Sequence, residues 1–407
     1  MRRLNKARRQ SDPDETRTTD ATTFVLRVCH DPAQIDAARW SALVAAQPSA
    51  TPFVSLAYLR ALHASASAAA ETGWAPHFLL LEQEGELVAA CPLYLKDHSY
   101  GEYVFDWGWA DAYQRHGLDY YPKLTSAIPF TPVPGPRLLA RRHEHRLLLL
   151  RAIEQLARSA RLSSAHLLFL DDADQAAARE AGWSMRSTVQ FHWHNRAPEP
   201  YADFAEFLAT LQREKRKKIQ QERRRVAEAG VTFTTASGDA IASADWNFFY
   251  RCYTLTYRAH HSTPYLTRDF FHRAAATMAE NWLLFTAWRG GTRIACSLIV
   301  IDPERRAAFG RYWGAIEHVH CLHFDACYYE PLAWCIANGY ERFEGGAQGE
   351  HKMARGLLPV ETRSAHWLAH PQFARAVDDF LAREGAGVAL YLNELNDRLP
   401  FKPATTQ

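Results

Sequence analysis

Nowhere do the 407 residues hold a run of about 18 apolar side chains, so the sequence offers no candidate transmembrane helix. The basic start, Met1 to Arg9, is not followed by a hydrophobic core, so it is not a secretory signal. Metal signatures are missing: the chain has neither a Cys-x-x-Cys pair nor His-Glu-x-x-His. No phosphate-loop fingerprint occurs. A strong charge of one sign is also absent. The formal net charge is +2, so no global field calls for nucleic acid and any basic function must be local. The 7 cysteines are odd in number and lie mostly in apolar runs, which fits buried free thiols in a reducing compartment. The expected location is the cytoplasm, with no metal and no tightly bound cofactor.

What is present suits globular cores: 47% hydrophobic and 12% aromatic residues over a length that accommodates two domains. Residues 1–22 are polar and aperiodic, and read as a disordered basic tail. From 23 to 195 the pattern is strand, helix, helix, hairpin, loop, helix, strand, helix, strand. The hairpin (His77–Leu81 and Glu86–Leu95) turns at Glu84-Gly85, and helices are expected at Arg142–Arg161 and Asp174–Ala181. Residues 196–407 nearly repeat this order. They open with a helix over 201–229 and continue with a hairpin turned at Gly290-Gly291, a helix over Leu322–Ala337, a strand over Arg363–Leu368 and a helix over Pro371–Arg383. The fold class is therefore α/β with mixed sheets, in two similar halves.

Four stretches carry candidate chemistry. Residues 97–136 interleave aromatic, charged and glycine residues without periodicity, and read as a long ordered loop with a binding surface. Its polar–aromatic set includes Asp106, Trp107, Tyr120, Tyr121 and Lys123. The helix 201–229 carries Arg216, Lys217, Lys218 and Arg224 among eight cations in its central turns, against two carboxylates, and is the candidate anion surface. His318 to Asp325 gathers imidazoles, a thiol and a carboxylate where a strand runs through Gly314 into a helix, a natural place for an anion. Finally, Asn338 to Gly356 combines the glycines Gly345, Gly346 and Gly349 with Glu344, Glu350, His351, Lys352 and Arg355. Acyl transfer to an amine needs a proton acceptor and stabilisation of a developing oxyanion. Glu350, His351 and Glu344 are the candidate catalytic groups.

Several of these segments are long enough to be specific: Leu211-x-x-x-x-Arg216-Lys-Lys-Ile-x-x-Glu-Arg-Arg-Arg-Val-x-x-x-Gly230, the helix Phe248 to His261, Pro264-Tyr-Leu266, Gly310-Arg-Tyr-Trp-Gly314, Leu322-His-Phe-Asp-Ala-Cys-Tyr-Tyr329 and Phe343-Glu-Gly-Gly-Ala-Gln-Gly-Glu-His-Lys352. With Tyr100-Gly-Glu-Tyr-Val-Phe-Asp-Trp107 and Tyr120-Tyr-Pro-Lys123, the chain resembles the FemAB-like branch of the GNAT acyltransferase superfamily over residues 24 to 402. The resemblance implies two tandem GNAT-like acyltransferase domains. It also implies transfer of an activated acyl group to an amine acceptor, a peptidoglycan precursor in the Fem group. The donor would be aminoacyl-tRNA, as in Fem relatives, or acyl-CoA, as in ordinary GNAT enzymes. The loop Gly314-Ala-Ile-Glu-His-Val-His-Cys321 lacks the Arg/Gln-x-x-Gly-x-Gly/Ala pattern that cradles the CoA pyrophosphate. The matched motifs add Arg311, Tyr312, Trp313, His323 and Lys352 as substrate-binding candidates, and the basic helix would suit tRNA or a nucleotide-linked precursor. Two alternatives stand beside this: an acetyl-CoA-dependent N-acetyltransferase, and a non-catalytic RNA- or partner-binding module on a degenerate transferase fold.

Overall fold

A computed structural model describes residues 24–346 and 349–402; the expected tail over 1–22 lies outside the described residues. The first half runs β1 (Phe24–Cys29), α1 (Ala37–Ala45), α2 (Leu56–Ala64), β2 (Ala75–Pro76), β3 (Phe78–Gln83), β4 (Glu86–Cys91), β5 (Leu93–Lys96), α3 (Trp107–Arg115), β6 (Lys123–Ser126), β7 (Leu139–Ala140), α4 (His143–Ser159), β8 (Ser164–Leu167), α5 (Asp172–Glu180) and β9 (Ser184–His194). The second half begins α6 (Phe204–Thr210), α7 (Arg213–Glu228), β10 (Val231–Ser237), α8 (Ser243–Ala259), α9 (Arg268–Thr277), β11 (Trp282–Arg289), β12 (Thr292–Asp302) and β13 (Ala307–Ala315). Next α10 (Leu322–Phe324) passes through a π turn, Asp325–Tyr329, into α11 (Glu330–Ala337). β14 (Arg342–Glu344), a 3-10 turn (Glu350–Arg355), β15 (Leu358–Leu368) and α12 (Pro371–Asn396) complete the chain.

The strands form a four-stranded sheet, β1-β3-β4-β7, and an eleven-stranded one, β10-β11-β12-β13-β14-β9-β15-β8-β6-β5-β2. The repeat expected from element order is visible in the pairing. In the first half β6 lies antiparallel to β5 and parallel to β8, with α4 in the crossover. In the second, β13 lies antiparallel to β12 and parallel to β14, with α10–α11 in the crossover. A parallel neighbour requires such a crossover, because a tight turn returns the chain antiparallel. The sheet runs on past residue 195: β15, from the second half, inserts between β8 and β9, with His366 opposite His166.

Three expectations change. The stretch 97–136 is not all loop, since it holds α3 and β6. Trp109 and Tyr113, four residues apart, both bury against α12 residues Val377 and Leu381, so tertiary packing selects a helix that the mixed sequence does not advertise. The helix expected over 201–229 breaks at Leu211-Gln212. There Leu211 bridges Phe401 and the Gln212 N–H donates to the Pro400 carbonyl at 2.8 Å. The last helix continues past Arg383, through Gly385 and Gly387, to Asn396, with Leu395 fully buried.

The two parallel pairs end differently. In the first half, the space beyond β6 and β8 is filled by Arg137, which is buried and donates from Nε to the Leu168 carbonyl at 2.8 Å and from Nη2 to the Val133 carbonyl at 2.7 Å. In the second half the equivalent space is open.

Candidate functional site

β13 and β14 pair over only three residues each, Ala307–Phe309 against Arg342–Glu344. Beyond them β13 continues as Gly310–Ala315, while the chain after Glu344 turns away through Gly345 and Gly346. On its other edge β13 is bulged: Tyr312 faces Leu298 and Gly310 faces Ile299, leaving Arg311 as the extra residue. A bulge re-aims the side chain it carries. Here it sends the Arg311 guanidinium to the first half, where Nη2 donates to the Phe130 carbonyl at 2.7 Å. Two glycines allow close approach. A Cβ on Gly314 would stand 2.2 Å from the Cys252 carbonyl of α8, and one on Gly345 2.7 Å from Leu357.

Three adjoining chambers lie along this free stretch of β13, two of them reaching Gly345 in the splay, and Trp313 lines all of them. The largest, about 700 Å³, lies between α8 and the loop 315–323, with His260, His318 and His323 on its walls. The second, about 450 Å³, is walled by Tyr103, Tyr253, Tyr257 and Tyr265, with Arg311, Tyr312, Gly345 and Gly346. The smallest, about 130 Å³, is set between β12, β13 and the π turn, against Ser297, Ile299, His323, Cys327, Tyr328 and Gly345.

Glu344 and Lys352 flank the glycine turn. Glu344 is buried; burial pushes its carboxyl up to about 7 against the opposing pull of Arg342 and Arg311. Its Oε1 stands 3.2 Å from Arg342 Nε, and among the described residues Oε2 has no hydrogen-bond partner. Lys352 is 3% exposed and donates from Nζ to the Gly346 carbonyl at 2.9 Å; desolvation pulls its ammonium down to about 8. Desolvation, together with His351, Arg355 and Lys352, holds the His323 imidazole below its ordinary value, so it is neutral at pH 7. His351 and Glu350 lie on the outer side of the turn. His351 Nε2 meets the Tyr328 hydroxyl at 3.3 Å, while Glu350 is exposed, 3.5 Å from Arg398. The chambers reach this turn through Gly345 and Gly346, and none of Glu344, Glu350, His351 and Lys352 lines them directly.

The first-half candidates come together at a different place. Lys123 Nζ is buried and donates to Ser99 Oγ at 2.7 Å, Glu102 Oε2 at 2.9 Å and Asp106 Oδ2 at 2.5 Å. Tyr120 donates to Asp106 Oδ2 at 2.6 Å, and Tyr121 shares a hydrogen bond with Ser99 at 2.9 Å. Trp107 is 39% exposed beside Tyr100. Asp106 also borders a groove of about 530 Å³ between α3 and α12. The network extends through His166 to His366, Nδ1 to Nδ1 at 2.8 Å. Sequence reading missed this pair, although the signal was there: Ser164-Ala-His166 and Ser364-Ala-His366 are the same tripeptide.

On α7, Lys217, Lys218 and Arg224 are exposed and Arg216 is half-buried. Arg223 turns inward to Asp325, at 3.1 Å, and to Glu330, and Arg225 reaches His320 at 3.2 Å. The imidazoles and acid of 318–325 thus face separate partners. Sequence reading also missed Glu222, a buried carboxylate on this basic helix that is ion-paired with Arg355 at 3.1 Å.

Residues 31–403, both halves and the cleft between β13 and β14, match the FemAB-like family, described as peptidoglycan biosynthesis/recognition. The chain belongs to the FemAB-like family. Solved structures share its fold. FemX matches with a TM-score of 0.53 at 10% identity, covering 84% of this chain and 98% of that one. L-PGS from Bacillus licheniformis matches with a TM-score of 0.51 at 10% identity, covering 85% of this chain and 97% of that one. At such identities the likeness concerns the fold alone. No curated protein matches this FemAB-like chain by sequence. Among its described residues no helix is long and apolar enough to cross a membrane.

Proposed function

We propose that this FemAB-like protein transfers an activated acyl or aminoacyl group to an amine in the β13–β14 cleft. The observation that carries the reading is that two buried ionisable side chains, Glu344 and Lys352, stand on either side of the turn Gly345-Gly346, where Lys352 donates to the Gly346 carbonyl and Gly345 lines the two smaller chambers. In the proposed step the acceptor nitrogen attacks the donor carbonyl carbon. A C–N bond forms, the C–O ester bond breaks, and the nitrogen's proton passes to Glu344, directly or through water. The same proton, returned by the Glu344 carboxyl directly or through water, goes to the departing hydroxyl, so the carboxylate is restored. The Lys352 ammonium faces the oxyanion, where a preorganised charge in a dry site acts most strongly. The chamber of about 130 Å³ holds the acyl group, and the tyrosine-walled one receives the acceptor, an amine of a peptidoglycan precursor.

The charge layout favours aminoacyl-tRNA over acyl-CoA. Among the described residues no lysine or arginine lines the largest chamber, and Glu317, itself paired with Arg289, does, so the lining offers a pyrophosphate no unpaired cation. The cations lie outside, on α7, which touches the chamber's loop through Arg225 and His320. A carrier with its charge spread along a backbone and an uncharged acyl end fits that arrangement.

The test is donor competition. Labelled aminoacyl-tRNA and labelled acetyl-CoA are offered in parallel with a lysate-derived amine pool, and transfer of label is recorded. Transfer from tRNA is the expected result. Transfer from CoA alone supports the N-acetyltransferase alternative, and transfer from neither, with retained RNA binding, supports the binding module. A second expectation concerns α7. The double variant Lys217→Glu/Lys218→Glu raises the donor KM by about 10-fold or more at low salt and flattens its log–log salt dependence by about two, with kcat little changed.

A further inference from the structure

The stripe by which α7 meets the core runs Ile219, residue 222, Val226, a spacing that calls for an apolar side chain at its centre. The residue there is Glu222, 6% exposed. Burying a carboxylate is costly unless it is paired. Its oxygens accept from Arg355 Nη2 at 3.1 and 3.4 Å and from the Tyr329 hydroxyl. Arg355 is itself buried, lies 3.6 Å above the Phe324 ring, and donates from Nη1 to the His351 carbonyl at 2.8 Å. That carbonyl belongs to the residue before Lys352. The next residue of α7, Arg223, binds Asp325 and Glu330 at either end of the π turn, whose Cys327 and Tyr328 wall the small chamber. One turn of α7 is therefore bonded both to the segment carrying Lys352 and to the chamber wall, while the preceding turn exposes Lys217, away from the buried stripe, and Lys218 at its flank.

We propose that Glu222 is a positioning residue: through Arg355 it fixes the turn that carries Lys352 against α7. This rests on the role given to Lys352 above. A helix that only bound anions would need no buried acid; a helix that only packed would carry leucine at 222. The pair places a charged, directional contact where packing alone would leave the turn free to slide. A misplacement of about 1 Å at a reacting centre costs on the order of 100-fold in rate.

The test uses the full-length protein and single-turnover transfer from the donor identified in the competition. Glu222→Gln is expected to lower kcat by about 10- to 100-fold while the donor KM moves less than about 3-fold. The alkaline limb of its pH–rate profile moves to lower pH, because the Arg355 cation beside the turn is no longer balanced. A structural role is separated by Glu222→Leu/Arg355→Met. Replacing a buried ion pair with apolar side chains commonly preserves stability, so this variant is expected to melt at or above the wild-type temperature with kcat as low as the single variant's. Full kcat in the double variant, or in a folded Glu222→Gln, overturns the proposal. Lys352→Met is run alongside. If it is inactive while Glu222→Gln is fully active, only the positioning role fails. If Lys352→Met is fully active, the reading of the site fails and the positioning role with it.

Discussion

Lys352→Met is expected to lower kcat by about 10²- to 10³-fold, the loss typical of removing one preorganised oxyanion donor, with circular dichroism and melting temperature unchanged or improved. The substitution keeps the aliphatic stem, so packing beneath Gly345-Gly346 persists, and it removes a buried charge that desolvation already disfavours. Single-turnover label transfer measures it. Glu350→Gln is the control, expected within about 2-fold of wild type, because surface substitutions away from packed features have small effects and its carboxylate lies outward against Arg398. A Glu350→Gln loss equal to that of Lys352→Met would return the base role to the outer side of the turn.

The second large effect is on pH dependence. Glu344 accepts a proton, so it must be ionised, and transfer rises with pH through about 7. Lys352 must keep its proton, so transfer falls as pH passes about 8. The profile of kcat is then a narrow bell with its optimum between those values. Glu344→Gln should lower kcat by about 10²- to 10⁴-fold, the usual range for a positioned base, and remove the acid limb while leaving the alkaline one. Lys352→Met should do the reverse. A profile whose acid limb survives Glu344→Gln unchanged assigns that limb to the acceptor amine or to another group.

Local structure was legible wherever a local rule governs it. Glu84-Gly85 turns the hairpin with positive φ at both residues, and Asp31 and Asp36 cap the consecutive helical segments Pro32–Gln34 and Ala37–Ala45. The helix over Leu322–Ala337 was read in full, but its π turn was not, because a widened turn leaves no period in so short a stretch. What escaped the sequence is non-local. The insertion of β15 between β8 and β9 depends on a pairing across 200 residues, of which the hydrogen-bonded His166 and His366 are the mark. At the site, the glycines and flanking charges of 344–352 stood out. The sequence could not tell which carboxylate points inward: Glu344 alternates into the protein on a strand, whereas Glu350 begins a short turn at the surface. In the sequence Glu222 is one of two carboxylates set against the cations of the helix, since only the packed structure distinguishes the face that meets Arg355.

The central claim is that the opening between β13 and β14 is where the acyl group sits, and a crystal structure with a stable donor mimic tests it most directly. A 3′-aminoacylamino-3′-deoxyadenosine, whose amide replaces the labile ester, carries the donor's end without its charges. The account predicts density for its acyl group in the chamber beside Gly345 and Cys327, with the amide oxygen facing Lys352 and the adenosine ring in the larger chamber against Trp313. Density in the groove between α3 and α12, with the β13–β14 cleft unchanged, would contradict it.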